Sequence, residues 1–395
     1  MILDYLLKIV DPVLIDVSRL VYRRLAAHLP TGVDRVSLAY LRHFSGRARA
    51  VVSLGNFSSV LSIAESELAF EALLDGRTQD RVTAIRIIAE AVLRGLGGLR
   101  VADQVLLNTG HLGIEHNGYL VQLRRRGVRP VFMVHDLIPI THPEYCRPGE
   151  MERHVARIRN MITWGCGIIT NSQDTLDTLT AFAGRNGLVL PPAVVASLAP
   201  GLAGWIAGPR PIVGPYFVML GTIEPRKNHW MVLQIWRRLV ESMGPSVPRL
   251  VLIGQRGWEC ENVVDLLERC KELNGVVIER TRCSDQELAT YLQNAQALLF
   301  PSFVEGYGLP LAEALAHGVP VLASDLGVFR EIAGEVPEYI DPLDGRRWME
   351  LIVDYANLVG SLRSAQMSRV ANFQSTTWAR HFEIVDSFLA RLGAS

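Results

Sequence analysis

Glu305 and Glu313 stand eight positions apart in the stretch 300–324, FPSFVEGYGLPLAEALAHGVPVLAS. Between them lie Gly306, Tyr307, Gly308 and Leu309, followed by Pro310. Carboxylates accept hydrogen bonds from sugar hydroxyls. The free N–H groups of a helix start beside them favour an anion such as a polyphosphate. Earlier in the chain, Arg226 and Lys227 are adjacent within GTIEPRKN. Such a pair neutralises a diphosphate, the arginine as a fork and the lysine as a point charge. His135 ends the apolar run 131–134. Each feature alone has a plainer reading: a helix-dipole partner, a solvated ion pair, a histidine in a structural hydrogen bond. Their order along one chain is the more specific signal.

The elements that must position these residues follow from hydrophobic patterning. A buried strand at 297–300 leads into the acidic glycine loop. A short helix then starts with Pro310 in its first position, Glu313 within a turn of that start and Gly318 as the stop. A second strand follows at 319–323. GTIEPRKN connects a strand at 216–220 to a helix at 229–243, and His135 closes a strand at 130–135. The carboxyl end of a strand is where ligands bind in open α/β sheets. A first strand at 13–17 precedes a loop at 30–35 and a helix at 36–44. Gly32 and Arg35 at that junction suit phosphate, because glycine allows close backbone approach. Further strands are expected at 51–54, 105–108, 168–171, 250–253 and 276–278. Helices are expected at 61–74, 82–96, 118–126, 174–182, 263–273 and 285–294. The Gly/Pro-rich passage 198–215 interrupts this alternation. The fold class is therefore α/β, with two Rossmann-like parallel-sheet domains, 1–205 and 206–376, whose strand ends face across a cleft. Residues 377–395 have the apolar spacing of a final helix.

Composition excludes several classes. The chain has 395 residues, enough for two domains. Its formal charge is zero, so no overall field attracts nucleic acid. Two arginine clusters, Arg124, Arg125, Arg126 and Arg129, then Arg153, Arg157 and Arg159, lack the aromatic interleaving of nucleic-acid binders. They read either as solvated faces or as attraction to anionic headgroups or a lipid diphosphate. Five cysteines without a C-x-x-C pair argue against a disulfide framework or structural zinc and for a reducing cytoplasm. No apolar run reaches the ~20 residues that span a bilayer. Residues 2–10 form an amphipathic stretch that either packs on the domain or dips into a membrane surface. Neither an Asp-x-Asp signature nor His/Cys ligand spacing points to a metal.

GTIEPRKN followed by EGYGLPLAE resembles the family 4 retaining glycosyltransferases of the GT-B fold. The segments IDVSRLVYRRLAAHLPTGVDRVSLAYL and VHDLIPITHPEYCRPGE resemble bacterial members that build capsule, exopolysaccharide or O-antigen chains. The resemblance covers nearly the whole chain. It implies that Arg226 and Lys227 hold the donor diphosphate and that Glu313 holds the nucleotide ribose. Glu305 would lie beside the transferred sugar, and the backbone of Gly306, Tyr307, Gly308 and Leu309 would contact the donor. His135 would lie near donor sugar and acceptor, and Gly32 in the loop near the phosphates. The final helix would return to the first domain. The implied reaction is retaining and metal-independent, without a cofactor beyond the nucleotide-sugar co-substrate. It moves a hexose, mannose from GDP-mannose or a sugar from a UDP donor, onto a lipid-linked or growing saccharide. The implied place is the cytoplasm, at the inner membrane face. Two other readings stand beside it: a nucleotide-sugar 2-epimerase and a catalytically silent nucleotide-sugar-binding partner.

Overall fold

The buried tetrapeptide Val13–Asp16 forms β1 and takes two parallel neighbours, β2 (Ala48–Leu54) and β4 (Val105–Asn108). The computed structural model describes residues 13–27, 30–55, 57–75, 81–95, 101–201, 206–357 and 360–393. The amphipathic stretch 2–10 lies outside these residues.

The chain divides into two units. The first comprises Met1–Ile140, Gly149–Leu198 and Trp378–Ser395. Its seven-stranded sheet has the order β3-β2-β1-β4-β5-β6-β7. The remaining strands are β3 (Phe57–Val60), β5 (Arg129–Val134), β6 (Gly167–Thr170) and β7 (Ala193–Val195). All pairings are parallel except β2 with β3. Parallel strands covered on both faces must be apolar along their length, and Leu14, Leu106, Phe132 and Ile168 are fully buried in one core cluster.

The helix Trp378–Gly393 belongs to this first unit. Gly167 makes room for it: a Cβ there would meet the Leu392 and Phe388 side chains at 2.6 and 2.9 Å. Phe382 stacks on His43 at 4.0 Å. His381 is buried, with Nδ1 3.1 Å from the Ser197 carbonyl and Nε2 3.0 Å from the Tyr40 hydroxyl. A carbonyl only accepts, so Nδ1–H donates to Ser197 and Nε2 accepts from Tyr40. Burial lowers the His381 pKa to about 4. The folded value lies below the ordinary 6.5, so the contribution to stability is fully present above pH 6.5 and is lost as pH falls through about 4. That loss is worth about 3 kcal/mol. Thermal unfolding between pH 7 and 4 should therefore show a fall in Tm that shrinks in His381→Asn; an equal fall in both proteins would refute the assignment.

The second unit comprises Thr141–Pro148 and Ala199–Thr377. Its sheet, ordered β10-β9-β8-β11-β12-β13, is parallel throughout. The strands are β8 (Tyr216–Leu220), β9 (Arg249–Ile253), β10 (Val277–Arg280), β11 (Leu298–Phe300), β12 (Val321–Ser324) and β13 (Glu338–Ile340). Strand alternation separates two cores: Tyr216 and Val218 enter one layer, Phe217 and Met219 the other.

The division falls at Leu198/Ala199, ahead of the expected 205/206. Its cause is local: the Gly201 N–H donates to the Glu313 carboxylate at 3.2 Å. The octapeptide Thr141–Pro148 was expected in the first domain. It clusters with the second unit because Tyr145 stacks on Phe303 at 5.6 Å and accepts, through its carbonyl, the Trp258 indole N–H at 3.0 Å. Arg147 also lies over the Trp258 ring.

Candidate active site

In each sheet the strand order reverses beside a central strand, at β1/β4 in the first unit and β8/β11 in the second. A crevice opens outside the carboxyl ends of such strands. Arg226 and Lys227 leave the end of β8, whereas Glu305 follows β11, so the second switch point brings the three together.

Pro225–Lys227 is a single 3₁₀ turn, and Asn228, at φ +60°, caps the helix His229–Met243. Arg226 Nη1 is 2.7 Å from Glu305 Oε2 and 3.2 Å from the Val304 carbonyl; its Nε is 2.6 Å from Glu224 Oε1. Lys227 Nζ donates to Glu305 Oε1, and the Ser302 hydroxyl donates to the same oxygen at 2.7 Å. The Lys227 ammonium also lies over the Phe300 ring at 4.9 Å. Glu224 and Lys227 are buried, and the Glu305 side chain is only 8% exposed. Burial alone would raise the Glu305 carboxyl, but Arg226 and Lys227 bring it down to about 2, so it is ionised at neutral pH. Burial lowers the Lys227 ammonium, opposed by Glu305, and raises the Glu224 carboxyl, opposed by Arg226 and Lys227. Two cations and two carboxylates thus form one buried cluster. Cations fixed in this way, on carboxylates that can exchange partners, suit an anionic ligand.

Glu305 was expected beside the transferred sugar. The structure shows it in contact with both cations. Glu224 and Ser302 complete the cluster and were not singled out from sequence, although Glu224 lies inside GTIEPRKN; a carboxylate two residues before an arginine in a tight turn was the available signal.

The helix Leu309–Ala316 follows Gly308 as its cap. Pro310 is its second residue, not its first. Glu313 is buried and bonds the Gly201 N–H. Tyr307 and Gly308 are buried, whereas Gly306 and Leu309 are partly exposed.

His135 lies in the first unit at the end of β5. Its Nε2 is 2.8 Å from the Thr109 carbonyl, so Nε2–H is the donor. Burial lowers its pKa, opposed by the Thr109 carbonyl, which leaves the ring neutral with Nδ1 as acceptor. The His111 ring is 5.0 Å away and bonds the Met133 carbonyl. His154 bonds the Asp136 carbonyl at 3.1 Å. Gly32 is not in a loop but is the first residue of the helix Gly32–Phe44. The Asp34 carboxylate accepts from the Thr31 N–H and hydroxyl, both at 2.7 Å, which starts the helix a turn earlier than the apolar spacing suggested.

Five arginines of the two clusters make internal contacts. Arg124 lies over the Trp164 ring, Arg129 bonds the Leu392 carbonyl and Arg159 bonds Asn186. Arg153 pairs with Glu150, and Arg157 with Glu115 and Glu150. None of the five cysteines forms a disulfide. Among the described residues, no three His, Cys, Asp or Glu side chains converge to hold a metal ion. No helix among them is long and apolar enough to cross a membrane.

The family described as "Glycosyl transferases group 1" matches residues 211–336, which contain Arg226, Lys227, Glu305, Glu313 and the strands that carry them. That match spans about a third of the chain. The four-charge cluster lies wholly within the matched residues. Among similar proteins, the serotype-specific mannosyltransferase WbdA of Escherichia coli is 28% identical over 257 residues, 59% of this chain and 31% of that one. The chain thus spans about a third of the length of this relative. The O-antigen chain mannosyltransferase B of Escherichia coli is 32% identical over 167 residues, 42% of each chain. Among solved structures, Anabaena HepE in complex with UDP and glucose has a TM-score of 0.67 at 14% identity, covering 96% of this chain and 99% of that one. The trehalose-phosphate synthase of Burkholderia vietnamiensis has a TM-score of 0.61 at 12% identity, covering 97% of each. The expected two-unit GT-B fold is borne out by these likenesses together with the two sheets.

Proposed function

We propose that this chain is a hexosyltransferase that moves a sugar from a nucleotide donor to a saccharide acceptor in surface-polysaccharide synthesis. The observation that carries the proposal is the Glu224–Arg226–Lys227–Glu305 cluster at the β8/β11 switch point, within the residues that match the group 1 family. Cations fixed before the donor arrives stabilise a departing diphosphate without reorganisation. The neutral His135, with an acceptor nitrogen at the end of β5, suits a polar contact to a sugar hydroxyl.

Mannose from GDP-mannose is the donor we favour, on the strength of the mannosyltransferase relatives; a UDP-sugar is the second reading, favoured by the UDP-bound structural neighbour. We further propose a retaining, metal-independent transfer, with Arg226 and Lys227 supplying the positive charge. We also propose a lipid-linked acceptor at the cytoplasmic membrane face, from the resemblance to polysaccharide-building members; vesicle flotation with and without residues 2–10 tests the membrane docking.

A thermal-shift screen with GDP, UDP and their sugars tests the donor, because a ligand bound only by the folded state raises Tm. GDP and GDP-mannose should give the largest shift, unchanged by EDTA. Absence of any shift with all nucleotides would sink the proposal, and a shift abolished by EDTA would sink metal independence. The anomeric signal of the product, read by NMR, decides retention.

A further inference from the structure

The switch point of the first unit carries a second cation pair. Arg19 and Arg23, one turn apart on the helix Ser18–Leu25, converge on Asp34. Arg19 Nε is 2.7 Å from Oδ1, and Arg23 Nε is 2.7 Å from Oδ2. Asp34 is 2% exposed, whereas the arginine side chains keep 27% and 21% of their surface open. Two guanidinium groups thus share one carboxylate beside the start of the helix Gly32–Phe44, whose dipole favours an anion. Gly110 after β4 lets Arg19 lie close: a Cβ there would fall 2.8 Å from the Arg19 Cβ. The other helix start at this switch point is already occupied. Asp16 accepts from the Ser18 N–H at 2.8 Å and is held by the Tyr119 hydroxyl and Asn108. Arg19 and Asp34 are both within electrostatic reach of His135.

We propose that Arg19 and Arg23 bind a phosphate ester or diphosphate carried by the acceptor, as an anion site separate from Arg226 and Lys227. The inference rests on the transfer reading above, in which the donor diphosphate has its own cation pair in the other unit. Guanidinium forks suit phosphate oxygens, and Asp34 aims them from behind. The acceptor of this chemistry is anionic, and a neutral oligosaccharide would leave the pair unused.

Calorimetric titration of the full chain with inorganic pyrophosphate and with GDP tests this. Wild type should bind two pyrophosphates. Arg226→Gln with Lys227→Gln should remove one of them together with GDP binding. Arg19→Gln with Arg23→Gln should weaken the other by about tenfold or more while GDP affinity stays within about twofold. Asp34→Asn, which raises the local charge without removing a guanidinium, should tighten that second pyrophosphate. Unchanged pyrophosphate stoichiometry in the Arg19/Arg23 variant overturns the proposal. So does loss of GDP affinity there, which would make the pair a donor subsite. Weaker or equal pyrophosphate binding in a folded Asp34→Asn protein also overturns it, by reducing the arginines to partners of Asp34. Retained GDP binding in the Arg226/Lys227 variant would fail the donor reading alone.

Discussion

Glu305→Gln is expected to separate binding from transfer. Sugar transfer should fall by about 10²–10³-fold, the scale seen when one preorganised electrostatic group is lost. GDP affinity should hold or rise. Arg226 and Lys227 would face one neutral amide where they now face a carboxylate ionised down to about pH 2. The nucleotide diphosphate then becomes their best counter-charge. The unliganded protein should be less stable by about 3–5 kcal/mol, because the buried Lys227 ammonium loses its carboxylate and Arg226 keeps that of Glu224. GDP should restore much of that, so its thermal shift should exceed the wild-type shift. Measuring turnover and Tm with and without GDP checks both halves. A parallel fall of transfer and GDP affinity would reduce Glu305 to a structural clamp.

Gly254→Ala should be the most damaging single methyl in the second unit. The Cβ would fall 1.9 Å from the Gly221 carbonyl oxygen and 2.6 Å from its carbon. Both are backbone atoms, and the Gly221 N–H is already bonded to Ile253 at 2.9 Å. Neither strand can yield without moving the turn that carries Arg226 and Lys227. Overpacking of this kind costs about 1–3 kcal/mol or more. Weak soluble expression, or a folded protein with little GDP binding, is the expected result in chemical denaturation and titration. Wild-type stability and affinity together would show that the β8 and β9 ends open more freely than their contacts imply.

Much of the fold was legible because its strands are continuous apolar runs. β4 at 105–108 and β8 at 216–220, and the helix 229–243, fall where patterning placed them. β3 was missed because FSSV has little apolar weight, and β7 because AVV is only three residues long. The helix Glu150–Trp164 was seen only as two arginines on one face. Local patterning marks the candidate residues but not their partners. Glu305 and Lys227 are far apart in the chain, and only the adjacency of β8 and β11 closes that gap. The same holds for Thr141–Pro148, whose allegiance is decided by Phe303 and Trp258.

The return of Trp378–Gly393 to the first unit bears on how the protein is made. During synthesis the sheet containing Gly167 emerges long before the helix whose Leu392 and Phe388 cover it. Ala199–Thr377, all of the second unit but Thr141–Pro148, is translated in between. Nascent first units must wait with that apolar patch open to water, where chaperones or neighbouring nascent chains can reach it. Cutting the gene at residue 377 would make that wait permanent.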